Sequence, residues 1–431
     1  MSGALRLLVL DFIAFKRALT KQIEIFNRYF RDIKVEIDFI ASYQKIYDLM
    51  VKERGVFSDK YDLFLCLTDW LPELIRIEGL EPLDSYIKQN PPEDYKNAWC
   101  KSLLRLQRDE KGRIYGFPYH DGPVMLIYRK DLLENEKEKR KFWELHKQTL
   151  NVPETWSDFL RIAKFFTRPD EGLYGTVLAA YPDGHMNVYD FLLQLYTRGG
   201  KLLDQNLNPV FNGPEGVRAL QFYVDLIWRH KVAPMESLQF NCHRAGQYYL
   251  DGRAAIIWQW SGFACMAEIP DYSKIVGKSG YALLPCGDEY RGPHKTLNVY
   301  WVFTIPSGSR RKDMAYEFLR ILASKEADKI TTMSGAIGCR LSTWTDEGVQ
   351  KRWPFYSIME KLHENAESPP TIPEYAEVNE ILNRMMNEAV NLRKPVKDAL
   401  DDAATKVKKL LSKTSESKGS NDTTKNRGVN L

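Results

Sequence analysis

The stretch TLNVYWVFTIP, residues 296–306, is a β-branched and aromatic run with the character of a strand. It arrives late, after a long and mostly helical middle, and any fold for this chain must say where such a strand goes. Its period of two puts Asn298 and Tyr300 on one face and Trp301 on the other. The run is followed by the helical KDMAYEFLRILAS, residues 312–324. At the other end of the chain, LRLLVLD reads as a short buried strand, and Leu19, Ile23, Phe26 and Phe30 then recur at helical spacing. IKVEIDFI alternates Ile33, Val35, Ile37 and Phe39 for a second strand, and YDLFLCLT supplies a third. Strands separated by helices imply parallel βαβ units in a doubly wound sheet. In the middle, Thr155 and Asp158 stand where a capping box would open the helix TWSDFLRIAKFF. Pro214 starts a second helix, with Val217, Leu220, Val224 and Ile227 on its apolar face.

A chain of 431 residues exceeds the size at which one core keeps growing, which predicts at least two domains. With 44% hydrophobic and 27% charged residues the balance is ordinary for a globular protein. The net charge of +4 is not gathered into a basic stripe, so no nucleic-acid partner is expected. Six scattered cysteines without a CxxC read mostly as buried thiols, with a disulfide allowed but not required. No apolar run is long enough to span a membrane. The N-terminus MSGALRLLVLDF lacks the basic start and cleavage site of an export signal, so the chain as it stands reads as soluble and unexported. From Lys413 to Leu431 the sequence is polar and rich in Gly, Ser, Asn and Thr, which predicts a disordered tail.

Chemistry-bearing motifs are sparse. Cys242-His243 is a lone pair without HxxxH or clustered carboxylates, so no metal or cofactor is expected. P-loop and GxGxxG fingerprints are absent, and Ser261, preceded by Trp260, does not make a GxSxG elbow. Four stretches instead join aromatic to hydrogen-bonding side chains at element ends: LTDWLPEL, YGFPYHDG, YPDGHMNVYDF and IIWQWSGFA. They offer Trp70, Tyr119, Trp258 and Trp260 as apolar plates, with Asp69, His120, Asp121, Asn187 and Gln259 as hydrogen-bonding groups. A sugar ring needs that mixture, since its C–H faces lie on aromatics while its hydroxyls need donors and acceptors. In GFPYHDG, Pro118 and the Gly122-Pro123 pair read as a constrained connection presenting Tyr119, His120 and Asp121. An ordinary surface turn is the plain alternative.

The order of YDLFLCLTDWLPELIRIEGLEPLDSYI, GRIYGFPY, MLIYRKDLL, VPETWSDFLRIAKFF, LYGT, DGRAAIIWQW, ALLPCG, MAYEFLRILASKEADK, SGAIGCRLSTW and PVKDALDDAATKVKKLL resembles the extracellular solute-binding proteins of carbohydrate ABC importers. The resemblance spans residues 4 to about 412. It implies an α/β, two-lobed periplasmic-binding-protein-like (type II) fold, each lobe a doubly wound sheet flanked by helices, joined by a hinge. Lobe one would hold 1–121 and 287–325, and lobe two 122–286 and 326–412. The late strand at 296–306 would then rejoin the first sheet.

The resemblance further implies ligand contacts from Asp69 and from Trp260, with Trp258 and Gln259 beside it. It puts Arg340 near the cleft, either on the sugar or in an interlobe ion pair. The implied role is non-enzymatic: capture of a mono- or oligosaccharide by hinge closure and delivery to the permease subunits of an importer, as a monomer, in the periplasm or at the cell surface. The missing export signal departs from the family pattern and fits a recombinant mature form. Two rivals stay open: a carbohydrate-active hydrolase using Asp69 and Asp121 as paired acids, and a cytosolic sugar sensor.

Overall fold

The computed structural model describes the backbone of residues 4–425 and the side chains through Lys413. Its strands are β1 (Leu5–Leu10), β2 (Val35–Ile40), β3 (Leu63–Leu67), β4 (Phe117–His120), β5 (Val124–Arg129), β6 (Ile256–Trp260), β7 (Ser279–Ala282), β8 (Thr296–Leu297), β9 (Trp301–Thr304) and β10 (Ala366–Glu367). β1 pairs parallel with β2 and β3, as the N-terminal pattern requires. The central LFLCL of β3 is buried at every position, which is why it reads as an unbroken apolar run rather than an alternation.

The late strand settles beside β3. β9 runs antiparallel to β3, with Leu67 opposite Trp301 and Phe64 opposite Thr304. β4 closes the far side of β9, giving the order β2-β1-β3-β9-β4. The expected connection at GFPYHDG is therefore an edge strand. An edge tolerates Pro118, and the register breaks between Pro118 and His120. A second sheet has the order β6-β5-β7, with β5 antiparallel to β7. Its three strands all come from the 122–286 segment. β8 and β10 form a short parallel pair.

The described chain packs as two compact units. Unit one comprises Met1–Asp131, Trp258–Leu284 and Thr296–Pro373, and unit two Leu132–Ile257, Pro285–Lys295 and Glu374–Leu431. In unit one the helix Ile13–Tyr29 lies against Lys325–Met333 and Lys312–Leu322. Its buried face carries Phe15, Leu19, Ile25 and Phe26 and, unexpectedly, Gln22. The Gln22 amide donates to Ala327 O and Thr331 Oγ1, both at 2.8 Å, which satisfies a polar group that burial would otherwise penalise.

Unit two is mainly helical. The helix Met186–Tyr196 is buried at all of its positions, and Pro214–Ile227 and Tyr375–Val390 pack on it. The Thr155–Asp158 capping box forms in both directions, at 3.1 and 3.2 Å. The last helix, Val396–Lys425, continues past Lys413, where composition predicts a disordered tail; residues 426–431 lie outside the described residues. Among the described residues no helix is long and apolar enough to cross a membrane.

Candidate functional site at the carboxyl edge of the five-stranded sheet

Parallel strands leave their carboxyl ends open, and in doubly wound sheets ligands sit outside those ends. In unit one this edge is built by the residues that follow β1, β3 and β4 and by the start of the antiparallel β9. Trp301 is opposite both Leu67 and His120, so it stands between the ends of β3 and β4. A backbone clip fixes the arrangement: Thr68 N–H donates to Tyr300 O at 3.0 Å, and Tyr300 N–H donates to Thr68 Oγ1 at 3.3 Å. Asp69, next in sequence, is half-buried at the same edge. Trp70 packs edge-on against Trp301 at 6.0 Å between ring centroids and lies against Tyr47 at 5.4 Å.

His120 ends β4 and is also half-buried. Its Nδ1 accepts the Ile337 N–H at 2.8 Å, and its ring stands edge-on to Phe15 at 5.2 Å, with Phe12 at 6.2 Å. Burial pushes its pKa down to about 4, the nearby Asp121 charge opposing this only in part, so the ring is neutral at physiological pH. At the end of β6 Trp258 and Gln259 are buried and Trp260 is half-buried. The Trp260 N–H donates to Gln259 Oε1 at 3.0 Å. Gly122 fits close to this point: a Cβ there would stand 3.3 Å from Val299 O and 3.9 Å from the Trp260 ring.

Other expected site residues have their polar atoms engaged inside their own unit. Tyr119 points into the core, its hydroxyl donating to Gln22 Oε1 at 3.0 Å and its ring packing edge-on against Phe303 at 4.7 Å. Asp121 is fully buried rather than displayed by a turn. Its Oδ1 accepts from Asn298 Nδ2 at 2.9 Å, and its Oδ2 pairs with His363 Nε2 at 2.7 Å. Its carboxylate is thus engaged by Asn298 and His363, whereas the hydrolase reading calls for an open acid at this position. Asn298 faces this carboxylate. Tyr300 is core, its hydroxyl donating to Leu103 O and accepting from Gln107 Nε2 at 2.7 Å.

Of the two faces in residues 298–301, the accessible one is therefore that of Trp301. Arg340 is buried, and backbone carbonyls occupy its guanidinium. Its guanidinium donates to Ala323 O at 2.5 Å and Glu93 O at 2.8 Å and stacks over Trp99. In unit two, Asn187 Nδ2 donates to Asn383 Oδ1 at 2.7 Å. Asn383 and Asn379 in turn donate to Pro182 O and Gly184 O, so these amides brace the YPDGH loop.

Sequence reasoning passed over Phe12 and left Trp301 open as the alternative face. The first had a signal, since it follows β1 as Asp69 follows β3. The second was legible as one of two alternating faces.

A family model described as bacterial extracellular solute-binding protein matches residues 12–329. The chain belongs to the bacterial extracellular solute-binding proteins. This solute-binding protein is 26% identical over 274 residues to the mannitol-binding protein of Pseudomonas aeruginosa, a match covering 62% of this chain and 58% of that relative. Its fold is similar to the maltose-bound MalE3 of T. maritima, with TM-score 0.82, 26% identity, and 94% of this chain and 99% of that one covered. A solute-binding protein from Agrobacterium radiobacter K84 in complex with ribitol gives TM-score 0.79 at 26% identity, covering 94% and 98%. The chain's matches span between 50% and 58% of the length of the first curated relatives. The α/β, two-lobed periplasmic-binding-protein-like class expected from the sequence is the fold shared with these structures.

Proposed function

We propose that this protein captures a sugar or sugar alcohol without chemically changing it, and delivers it to the permease subunits of an ABC importer. The observation that carries the reading is the carboxyl edge of the five-stranded sheet, where Asp69, His120 and Trp301 converge with Phe12 and Trp70. A neutral imidazole beside aromatic faces and a carboxylate can pair with hydroxyls and stack on C–H faces without demanding a charged ligand. Trp260 is assigned to the same ligand, with Trp258 and Gln259 supporting it from behind. Asp121, Asn298, Tyr119, Tyr300 and Arg340 are assigned to hold the edge rather than to touch the ligand.

Capture works by closure of two lobes about a hinge, lobe one being 1–121 with 287–325 and lobe two 122–286 with 326–412. A compact unit reflects packing and a lobe reflects motion, so the two divisions need not coincide. The protein acts as a monomer in the periplasm or at the cell surface, in keeping with the extracellular character of its family.

The named relatives include binders of mannitol, maltose and ribitol, so the test spans both chemical classes. A thermal-shift screen over sugars and polyols should find a ligand that, at about 100 times its Kd, adds about 2.7 kcal/mol to stability. Mass analysis after long incubation should return that ligand unchanged. A flat screen across both classes, or conversion of the ligand, would overturn the reading.

A further inference from the structure

The contacts of His120 fix which of its two nitrogens carries the proton. Ile337 N–H donates to Nδ1 at 2.8 Å, and Asp121 N–H donates to Ile337 O at 2.9 Å, so two bonds clip the end of β4 to the turn SGAIGCR, residues 334–340. A ring nitrogen that accepts a backbone N–H presents its lone pair, which in a neutral imidazole leaves the proton on the other nitrogen. Ile337 is fully buried, so a flipped ring, turning carbon toward its N–H, would leave that donor unsatisfied. Nε2–H is the open end of this arrangement. It has no hydrogen-bond partner among the described residues, and it is not one of the unpartnered polar atoms sealed from solvent.

The charge of the ring is fixed as well. Burial holds it neutral above about pH 4, and the adjacent Asp121 carboxylate is turned to Asn298 and His363 instead. Asp11, beside Phe12, pairs with Lys16 at 2.6 Å. In the turn, burial pushes the Cys339 thiol far up and keeps it neutral, and backbone carbonyls occupy the Arg340 guanidinium.

From the clip to Ile337 and the open Nε2–H at an edge that also carries Phe12 and Trp301, we infer that His120 sets the polarity of recognition here: it gives a hydrogen bond and takes none, selecting a ligand that offers an oxygen lone pair over one that offers an ammonium group. The inference rests on the capture reading and narrows its ligand to neutral sugars and polyols, with amino sugars rejected at the position facing His120. A hydroxyl accepts from Nε2–H and keeps its own proton for an acceptor. An ammonium has donors only, so two N–H groups would oppose each other in a half-buried place. The Asp69 carboxylate by itself would favour the ammonium, so the direction of the preference distinguishes the two residues.

The test has two arms. In the full chain labelled with ¹⁵N-histidine, one of the seven imidazoles, the one missing from His120→Asn, should show the neutral Nε2–H tautomer from about pH 8 to about pH 5.5. Calorimetric titration at about pH 6, where the amines are ammonium ions, then compares D-glucose, D-mannose and D-glucitol with D-glucosamine, D-mannosamine and 1-amino-1-deoxy-D-glucitol. Any further ligand returned by the thermal-shift screen enters with its amino-deoxy counterpart. At least one neutral probe should bind about tenfold or more tightly than its amine and should move the His120 Nε2–H resonance. His120→Asn, whose amide accepts as well as donates, should lose most of that preference while its affinity for the neutral probe changes by less than about tenfold. An imidazolium or Nδ1–H form in that pH range, neutral ligands that bind without moving Nε2–H, or a preference absent from every pair or kept by His120→Asn overturns the inference. If a neutral sugar or polyol binds, those outcomes leave the capture reading standing; a chain that binds none takes both down.

Discussion

His120 and His363 flank the same carboxylate and carry opposite charge states. His120 is adjacent to Asp121 in sequence, yet Asp121 bonds to Asn298 and His363 instead. The His120 ring receives burial without a partner carboxylate, accepts a backbone N–H, and is driven to about 4. His363 is buried as well, but its direct bond to Asp121 outweighs desolvation and takes it to about 10. Burial sets the sign of a histidine's shift only when no counter-charge is in hydrogen-bond contact. The outcome is a neutral, hydroxyl-competent imidazole at the sheet edge and an imidazolium at neutral pH behind it.

The largest expected effect comes from breaking the charged side of this comparison. His363→Ala leaves Asp121 buried without its counter-charge and should cost about 3–5 kcal/mol in denaturant unfolding. Asp121→Asn should lower stability in the same direction while changing sugar affinity by less than about tenfold, that is ~1.4 kcal/mol. An Asp121→Asn protein of normal stability and strongly reduced affinity, measured by calorimetric titration, would return this carboxylate to the ligand.

On the neutral side, Trp301→Ala and Trp260→Ala should each weaken binding by ~2 kcal/mol or more, the range of buried aromatic anchors, with melting largely preserved. Collapse of melting with normal affinity in the folded fraction would make either residue core.

The pH dependence sharpens the contrast. The folded pKa of His363 is raised, so its stabilisation is fully present below the ordinary 6.5 and is lost as pH rises toward about 10. The folded pKa of His120 is lowered, so stability falls as pH drops from 6.5 toward about 4, where the unfolded chain takes up a proton that the native ring refuses. Urea midpoints across pH should show both limbs, with His363→Gln flattening the alkaline one. The smallest effect belongs to His120→Asn, which keeps a hydrogen-bonding group. It should make the acid limb shallower, the equally lowered His185 keeping part of it, and shift affinity by less than about 1.4 kcal/mol; an unchanged acid limb would place the proton uptake elsewhere.

Much of the framework was legible because it rests on local periodicity. The three parallel strands, the Thr155–Asp158 cap and the strand character of residues 296–306 all appear where the pattern puts them. Helical spacing was read less well: Ile25 rather than Ile23 joins the buried face of the first helix, and Gln22 sits inside it because three partners distant in sequence receive it. The site residues show the same division. Asp69 stands just past β3 and Trp260 ends β6, and an element end is a local feature that pattern can mark.

What the sequence determined by itself, then, is which segments become strands and helices and which aromatic and polar residues stand at their ends, since period and punctuation act over a few residues. Tertiary structure alone decided which of those residues face outward and what charge they carry. Asp121 became internal because His363, 242 positions away, closes on it, and Arg340 became structural because the carbonyls of Ala323 and Glu93 surround it. The charge of a buried group depends on the solvent it loses and the counter-charge it gains, and both are supplied by residues that only the fold brings near.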